Sequence, residues 1–130
     1  MKLEVVTPTG RALDVEVDSV TAPGARGEFG VLPGHRPALM MLGGGAISYA
    51  GVTPGELFIS GGVAELRADA VLVLADEVTK PDAVDRVRAE SLLQAAVEAL
   101  AKIEVLEDDQ VLRLSADRAY AEAMLKVAGH

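Results

Sequence analysis

The sequence predicts an α+β protein in which an N-terminal β-sandwich of seven to ten short strands precedes a C-terminal antiparallel α-helical hairpin. In the first 79 residues, apolar and polar residues alternate in short runs that glycine- and proline-containing turns separate, as in compact all-β domains. Glycine and proline are then absent from residues 82–106, where apolar residues recur every three or four positions, as in amphipathic helices. Three acids at residues 107–109 divide this helical region into two segments.

The first two predicted strands show the clearest alternation. Leu3 and Val5 alternate with polar residues before a turn at residues 7–10. The second strand places three apolar residues on one face and three acids on the other, namely Leu13, Val15 and Val17 against Asp14, Glu16 and Asp18. Side chains in one straight row diverge, so a solvated strand face is favoured over a metal site. We therefore expect no bound metal.

The remaining strands follow at short intervals, at residues 20–22, 28–32, 39–42, 46–50, 56–60, 63–67 and 70–78. Gly43, Gly44 and Gly45 predict a tight turn, because a phosphate-binding loop would continue with Gly-Lys-Ser/Thr and a helix. The run Val71-Leu72-Val73-Leu74-Ala75 does not alternate. One face of that strand should therefore pack in the core, and the other against the helices or a partner protein.

The two helices should form a hairpin that leans on the sandwich. Asp82 is the predicted N-cap of the first helix, which should run to about Leu106. Its apolar face contains Ala89, Leu92, Leu93, Ala96, Leu100 and Ile103. The second helix is predicted at residues 109–127, with Leu112, Ala116, Ala119, Ala123 and Val127 on its apolar face. Because that face is narrow and mostly alanine, we expect a modest grip on the sandwich.

Composition excludes several classes of function. The chain has no cysteine and two histidines, and no serine lies in a Gly-x-Ser-x-Gly elbow, so we expect a non-catalytic protein that requires no cofactor. The net charge of −8 argues against nucleic acid or anionic lipid as a main partner. A targeting leader and an apolar run of the roughly 18 residues that cross a membrane are both missing, so a soluble protein without direct membrane insertion is expected.

Residues 27–37, Gly-Glu-Phe-Gly-Val-Leu-Pro-Gly-His-Arg-Pro, form the most distinctive segment. Three glycines and two prolines in eleven residues predict a stiff, shaped loop. Together with Ser-Gly-Gly-Val-Ala-Glu at residues 60–65, this segment resembles the epsilon subunit of bacterial and chloroplast F-type ATP synthases, called delta in mitochondria. The resemblance covers essentially the whole chain.

This resemblance implies a non-catalytic rotor component of the central stalk. Its sandwich, residues 1–79, would bind the gamma subunit and rest on the ring of c subunits. The contact loop would include Glu28, Phe29, Leu32, His35 and Arg36, with Glu28 and His35 touching polar loops of the ring. The alternative is a structural corner in which Phe29 and Leu32 fill the core and His35 braces the turn.

The hairpin, residues 80–130, would by the same resemblance regulate ATP hydrolysis. It would fold against the sandwich in one state and extend along gamma toward the alpha and beta catalytic subunits in another. A permanently docked hairpin is the alternative. The implied location is peripheral, on the cytoplasmic face of the bacterial inner membrane.

A third segment, Val84-Asp85-Arg86-Val87-Arg88-Ala89, resembles the Ile/Leu-Asp-x-x-Arg-Ala motif by which some bacterial members bind ATP without hydrolysing it. The resemblance implies that Asp85 accepts a hydrogen bond from the adenine amino group and that Arg88 supplies charge, with Val84 and Ala89 completing the motif. Two alternatives stay open: an ordinary helix start at this segment, and, for the whole chain, a stand-alone β-sandwich that binds a ligand or peptide.

Overall fold

The computed structural model describes residues 1–102 and 107–128. Its ten strands are β1 (Lys2–Thr7), β2 (Gly10–Glu16), β3 (Ser19–Gly24), β4 (Gly27–Val31), β5 (Ala38–Leu42), β6 (Gly45–Ala50), β7 (Gly55–Ile59), β8 (Gly62–Arg67), β9 (Ala70–Ala75) and β10 (Val78–Thr79). A 3-10 turn, Pro81–Ala83, leads into α1 (Arg86–Leu100) and α2 (Asp108–Ala128). The predicted order, strands followed by two helices, is confirmed.

The strands form one folded sheet that wraps around an aliphatic core. Neighbouring strands follow the order β10-β7-β6-β3-β5-β8-β9-β1-β2, and β4 pairs with β3. β1 and β9 run parallel, whereas the other pairs are antiparallel. The inner faces meet in a core whose fully buried members include Leu3, Val5, Ile47 and Val73. The alternation read along β1 and β2 is confirmed, because Leu3 and Val5 are buried while Asp14 and Glu16 are exposed.

The hairpin packs on the outer face of β6 and β7, because α2 contacts these two strands. For the non-alternating run at residues 71–75 we expected a cover of helices or of a partner protein, and the contacts of α2 exclude the helices. Leu74, on the outer face of β9, is 51% exposed. The strand covered on both faces is β7, where Leu57, Phe58 and Ile59 are all buried. The predicted strand at residues 70–78 also divides into β9 and β10, which pair with different neighbours.

The first helix begins later than predicted. Asp82 lies in the 3-10 turn, and Val84 after it is extended, with φ −67° and ψ 123°, so a helix cannot run continuously from Asp82. The N-cap is Asp85, whose side chain accepts a hydrogen bond from the Arg88 backbone N–H at 3.2 Å. α1 ends at Leu100. The predicted continuation through Ile103 to Leu106 falls on residues outside those described.

The glycine triplet at residues 43–45 joins β5 to β6 by the short connection that was predicted, and it is also the point at which α2 crosses the sandwich. β5 and β6 do not pair with each other; both pair with β3, β5 also pairs with β8, and β6 also pairs with β7. A side chain at Gly44 would overlap the backbone carbonyl of Ala116 in α2. Glycine is needed there because the helix backbone approaches the sheet too closely for a Cβ atom.

Candidate interaction sites

The signature segment at residues 27–37 spans the sandwich from one end to the other. At one end, the turn between β3 and β4 lies beside the glycine triplet, where the Ala25 N–H donates to the Met41 carbonyl at 2.9 Å. At the opposite end, the Gly34 N–H donates to the Ala68 carbonyl at 2.7 Å. We call these the helix end and the loop end of the sandwich. β4 separates them by about 13 Å, given about 3.3 Å per residue of strand.

The structure therefore brings only some of the predicted contact residues together. Leu32, His35 and Arg36 lie at the loop end, and Leu32 and Arg36 are exposed. Glu28 is exposed near the start of β4, toward the helix end. Phe29 is half-buried and packs against the sandwich core, so it anchors the segment.

His35 braces the turn at the loop end. Its Nδ1 lies 2.7 Å from the Leu32 carbonyl oxygen, and because a carbonyl only accepts, Nδ1 carries the hydrogen. The His35 backbone N–H points at the same oxygen. His35 Nε2 is buried and has no hydrogen-bond partner within residues 1–102 and 107–128. Through these contacts His35 braces the turn, which is the alternative role considered for it above.

The segment at residues 84–89 is closed in this conformation. Asp85 caps α1, and Arg88 Nη2 donates to Glu77 Oε1 at 2.7 Å. Ala89 is fully buried, and Val84 packs against the same cluster. The cavity beside Asp85, Arg88 and Ala89 has a volume of about 30 Å³, which is enough for one or two water molecules and far too small for a purine base.

The hairpin is attached to the sandwich through a second hydrophobic cluster. Phe58 of β7, Ala89 of α1, and Tyr120 and Met124 of α2 are all buried in it. The start of α1 thus meets the end of α2, which makes the hairpin antiparallel. The Tyr120 hydroxyl lies 2.6 Å from the Thr79 hydroxyl, at the last residue of the sandwich. Burial raises the pKa of Tyr120, so the neutral hydroxyl is the form that the interface holds.

An open cavity of about 650 Å³ separates the start of α2 from the sandwich. Asp76 and Glu77 line it from the sandwich, and Arg113 and Asp117 line it from α2. Partial burial raises the pKa of Asp117; Arg113 lowers it, while Glu77 and Asp76 add smaller raising effects. This side of the junction is therefore acidic.

Apolar side chains form a row on the outer face of four strands. The pairing register joins Met41 of β5 to Val63 of β8, Val63 to Leu74 of β9, and Leu74 to Val6 of β1. We call these four residues the apolar row. Met41 is 65% exposed and Leu74 is 51% exposed, whereas Val6 and Val63 are half-buried. Two of the four members of the row are therefore left uncovered by the described part of the chain. Patches of this kind mark contact surfaces for other proteins.

Two further findings concern ligands and membranes. Within residues 1–102 and 107–128, no group of three or more acidic or histidine side chains is placed to hold a metal ion. Neither described helix is both long and apolar enough to span a membrane.

Comparison with known proteins gives the family. Residues 1–81 match the family described as ATP synthase, Delta/Epsilon chain, beta-sandwich domain. The chain belongs to the ATP synthase delta/epsilon family. An ATP synthase epsilon chain of Trichlorobacter lovleyi is 39% identical over 132 residues, covering 99% of this chain and 94% of the relative. That of Geotalea daltonii is 47% identical over 105 residues, covering 79% of this chain and 75% of the relative.

Solved structures of two mitochondrial ATP synthases contain chains of similar fold. A chain of the Euglena gracilis mitochondrial ATP synthase, solved as OSCP, F1 and c-ring in one rotational state, superposes with a TM-score of 0.69 at 25% identity. The match covers 98% of this chain and 80% of that chain. A chain from the central stalk and c-ring of the Tetrahymena thermophila enzyme has a TM-score of 0.55 at 15% identity, covering 65% of this chain and 69% of that chain, which shows a shared fold alone.

Membership of the epsilon family confirms the predicted resemblance, the fold class and the prediction of a non-catalytic subunit of the ATP synthase complex. The alternative hypothesis, a stand-alone binding module, is therefore abandoned in favour of the epsilon family. Sequence reasoning missed three residues of the epsilon hairpin junction: Phe58, Thr79 and Tyr120. The large side chains of Phe58 and Tyr120 could have indicated two of them. These are two of only four aromatic residues in the chain, and large aromatic side chains tend to be buried.

Proposed function

We propose that this epsilon-family chain is a rotor subunit of the central stalk that joins the gamma subunit to the c ring and restrains ATP hydrolysis. In this proposal the apolar row binds gamma, and the loop end rests on polar loops of the ring. The protein then lies peripherally, on the cytoplasmic face of the bacterial inner membrane.

The observation that carries the proposal is the uncovered apolar row. Its two most exposed members, Met41 and Leu74, remain exposed while the hairpin is docked on β6 and β7. A soluble protein gains by covering such a surface, and the family supplies a setting in which a partner is present throughout turnover. Gamma is the proposed partner because it turns together with this subunit.

The loop end supports the second contact. Leu32 and Arg36 are exposed on a turn that the His35 brace and the Gly34 to Ala68 hydrogen bond make rigid. A rigid, compact turn suits docking onto a ring that rotates as one body with it. In this proposal His35 contributes by fixing the turn, Phe29 by anchoring it, and Glu28 lies nearer the gamma side.

We propose that residues 1–79 form the binding domain and residues 80–130 the regulatory hairpin. The junction supports this division, because Lys80 to Asp85 contains a single 3-10 turn and is the segment where a swing would cost least regular structure. In this proposal, the hairpin makes no contact with the alpha and beta subunits while it is docked on the sandwich. In the extended state it would contact them and slow hydrolysis.

The test uses a cognate gamma-containing catalytic complex that lacks this subunit, to which the full chain is added while co-elution and ATP hydrolysis are followed. We expect co-elution with slower hydrolysis.

Met41→Ser combined with Leu74→Ser should weaken binding at least tenfold, because two exposed apolar anchors are replaced by hydroxyls. The control is Val52→Ser, an exposed turn residue outside the row. Equal binding of the double variant and the control would contradict the gamma site, and undiminished hydrolysis would contradict inhibition.

We further propose that regulatory ATP binds at residues 84–89 only after the ion pair between Arg88 and Glu77 has opened. The small cavity and the occupied Arg88 guanidinium are the support for this order of events. Glu77→Gln should then strengthen ATP binding by up to about fivefold, since an exposed ion pair is worth about 1 kcal/mol or less.

The matched control is Glu90→Gln, which releases Arg86, at a variable position of the motif, from a similar exposed ion pair. Equilibrium dialysis with ATP gives the measurement. Glu77→Gln and Glu90→Gln binding ATP equally well would overturn the requirement for opening, and no detectable binding by any variant would remove ATP from the proposed function.

A further inference from the structure

The apolar row continues from the sandwich onto the hairpin through Leu112 of α2. Leu112 and Met41 both line two cavities, one of about 650 Å³ and one of about 260 Å³, so the two side chains border the same openings. Leu112 is 66% exposed and Met41 is 65% exposed. Leu112 was predicted to lie on the apolar face of the second helix, and docking of the hairpin leaves its side chain largely exposed. The surface that results is composite, because sandwich and hairpin both contribute to it.

We propose that gamma binds this composite surface, the apolar row together with Leu112, and so recognises the docked conformation of the hairpin. This inference rests on the proposed function, and it adds that the hairpin is part of the gamma site while it is docked. A partner can contact Met41 and Leu112 at the same time only when α2 lies across the glycine triplet. Binding of gamma therefore favours docking, and docking favours binding of gamma by the same factor.

The charges around Leu112 define the chemistry of the partner surface. Asp76 and Asp117 line the cavity beside it, and Arg113 is the neighbouring cation. Glu77, the remaining acid of that cavity, is paired with Arg88. A matching partner surface is an aliphatic ridge flanked by lysine or arginine, such as one face of an amphipathic helix. Basic flanks make the affinity fall as salt is added.

The exposure of Leu112 makes a clean test possible. Because the side chain is largely outside the contact between hairpin and sandwich, Leu112→Ala should leave the free protein folded and docked. Alanine also preserves the helix. The matched control is Val87→Ala, another apolar helix residue, 72% exposed and outside the row. Met41→Ala tests the sandwich half of the surface.

The experiment measures the affinity of each full-length variant for purified gamma and the amide hydrogen exchange of α2 with and without gamma. Leu112→Ala should bind gamma three- to tenfold more weakly than the wild type, whereas Val87→Ala should bind equally well. Gamma should slow the exchange of α2 amides in the wild type, and less so in Leu112→Ala. In the free chain, the two proteins should exchange alike.

The outcomes separate the two proposals. If Met41→Ala weakens binding and Leu112→Ala does not, gamma binds the sandwich alone and the composite surface is wrong. If neither variant weakens binding, the gamma site itself is misplaced, and the proposed function loses its main contact. Faster exchange of α2 in the presence of gamma would also overturn the inference, because gamma would then favour the undocked hairpin.

Discussion

Tyr120→Ala should release the hairpin from the sandwich while the sandwich stays folded. Tyr120 is fully buried between Phe58, Ala89 and Met124, and its removal leaves a cavity in a cluster that has few other large side chains. Losses of this kind cost about 3–5 kcal/mol. The main core of the sandwich is a separate cluster, so its stability should change far less. Hydrogen exchange resolved by segment measures both effects at once.

The contribution of the hydroxyl can be separated with Tyr120→Phe. That variant keeps the ring and removes the 2.6 Å hydrogen bond to Thr79, which should weaken docking by about 0.5–1.5 kcal/mol. A second control, Tyr49→Phe, removes a hydroxyl from the sandwich side. If α1 and α2 exchange as slowly in Tyr120→Ala as in the wild type, the second cluster does not hold the hairpin. In the catalytic complex, the proposed regulation further predicts stronger inhibition by Tyr120→Ala, because more of the hairpin is free to extend.

The local features of the fold were predictable because they depend on neighbours in sequence. β4 was expected at residues 28–32 and occupies Gly27–Val31, and α2 was expected at 109–127 and occupies Asp108–Ala128. Alternation and the positions of glycine and proline determine such boundaries within a few residues. The start of α1 was misplaced because Asp82 and Asp85 are both good N-caps. Only the extended backbone of Val84 decides between them.

The position of the hairpin could not be predicted because it depends on which strands share an outer face. Residues 57–59 and 71–75 are both non-alternating apolar runs, and nothing local favours one over the other. The sheet order places β7 beside β6 and β10, next to the start of the helices, whereas β9 lies between β8 and β1. α2 therefore covers Phe58 and leaves Leu74 exposed.

The candidate sites, too, include features that could be predicted from the sequence and features that could not. The turn at residues 32–36 and the motif at residues 84–89 are each contiguous in sequence, so both segments could be recognised directly. Glu28 and His35 were predicted to contact the same partner, but they lie toward opposite ends of β4. The apolar row is assembled from four strands and becomes visible only with the pairing register. For the same reason the place of Leu112 beside this row could not be predicted, since helical spacing assigned Leu112 only to the apolar face of the second helix.

Gly44→Ala should displace α2 from the sandwich. The added Cβ would overlap the Ala116 carbonyl and also lie 2.9 Å from the Tyr120 backbone nitrogen, and both are atoms of a helix that cannot move singly. Overpacking of this kind costs about 1–3 kcal/mol and moves the helix as a body. The neighbouring Gly43→Ala is the matched control, because its Cβ would meet nothing closer than the Gly24 carbonyl at 3.5 Å.

Segment-resolved hydrogen exchange should show faster exchange in α2 for Gly44→Ala and wild-type exchange for Gly43→Ala. Equal effects of the two substitutions would mean that loss of glycine flexibility, and not contact with the helix, is responsible. A double variant sharpens the distinction further. Adding Ala116→Gly to Gly44→Ala removes only a side chain, and the overlap is with backbone, so docking should not be restored. Restoration would show that α2 meets the glycine triplet through its side chains, and that the close backbone approach is not what holds the helix in place.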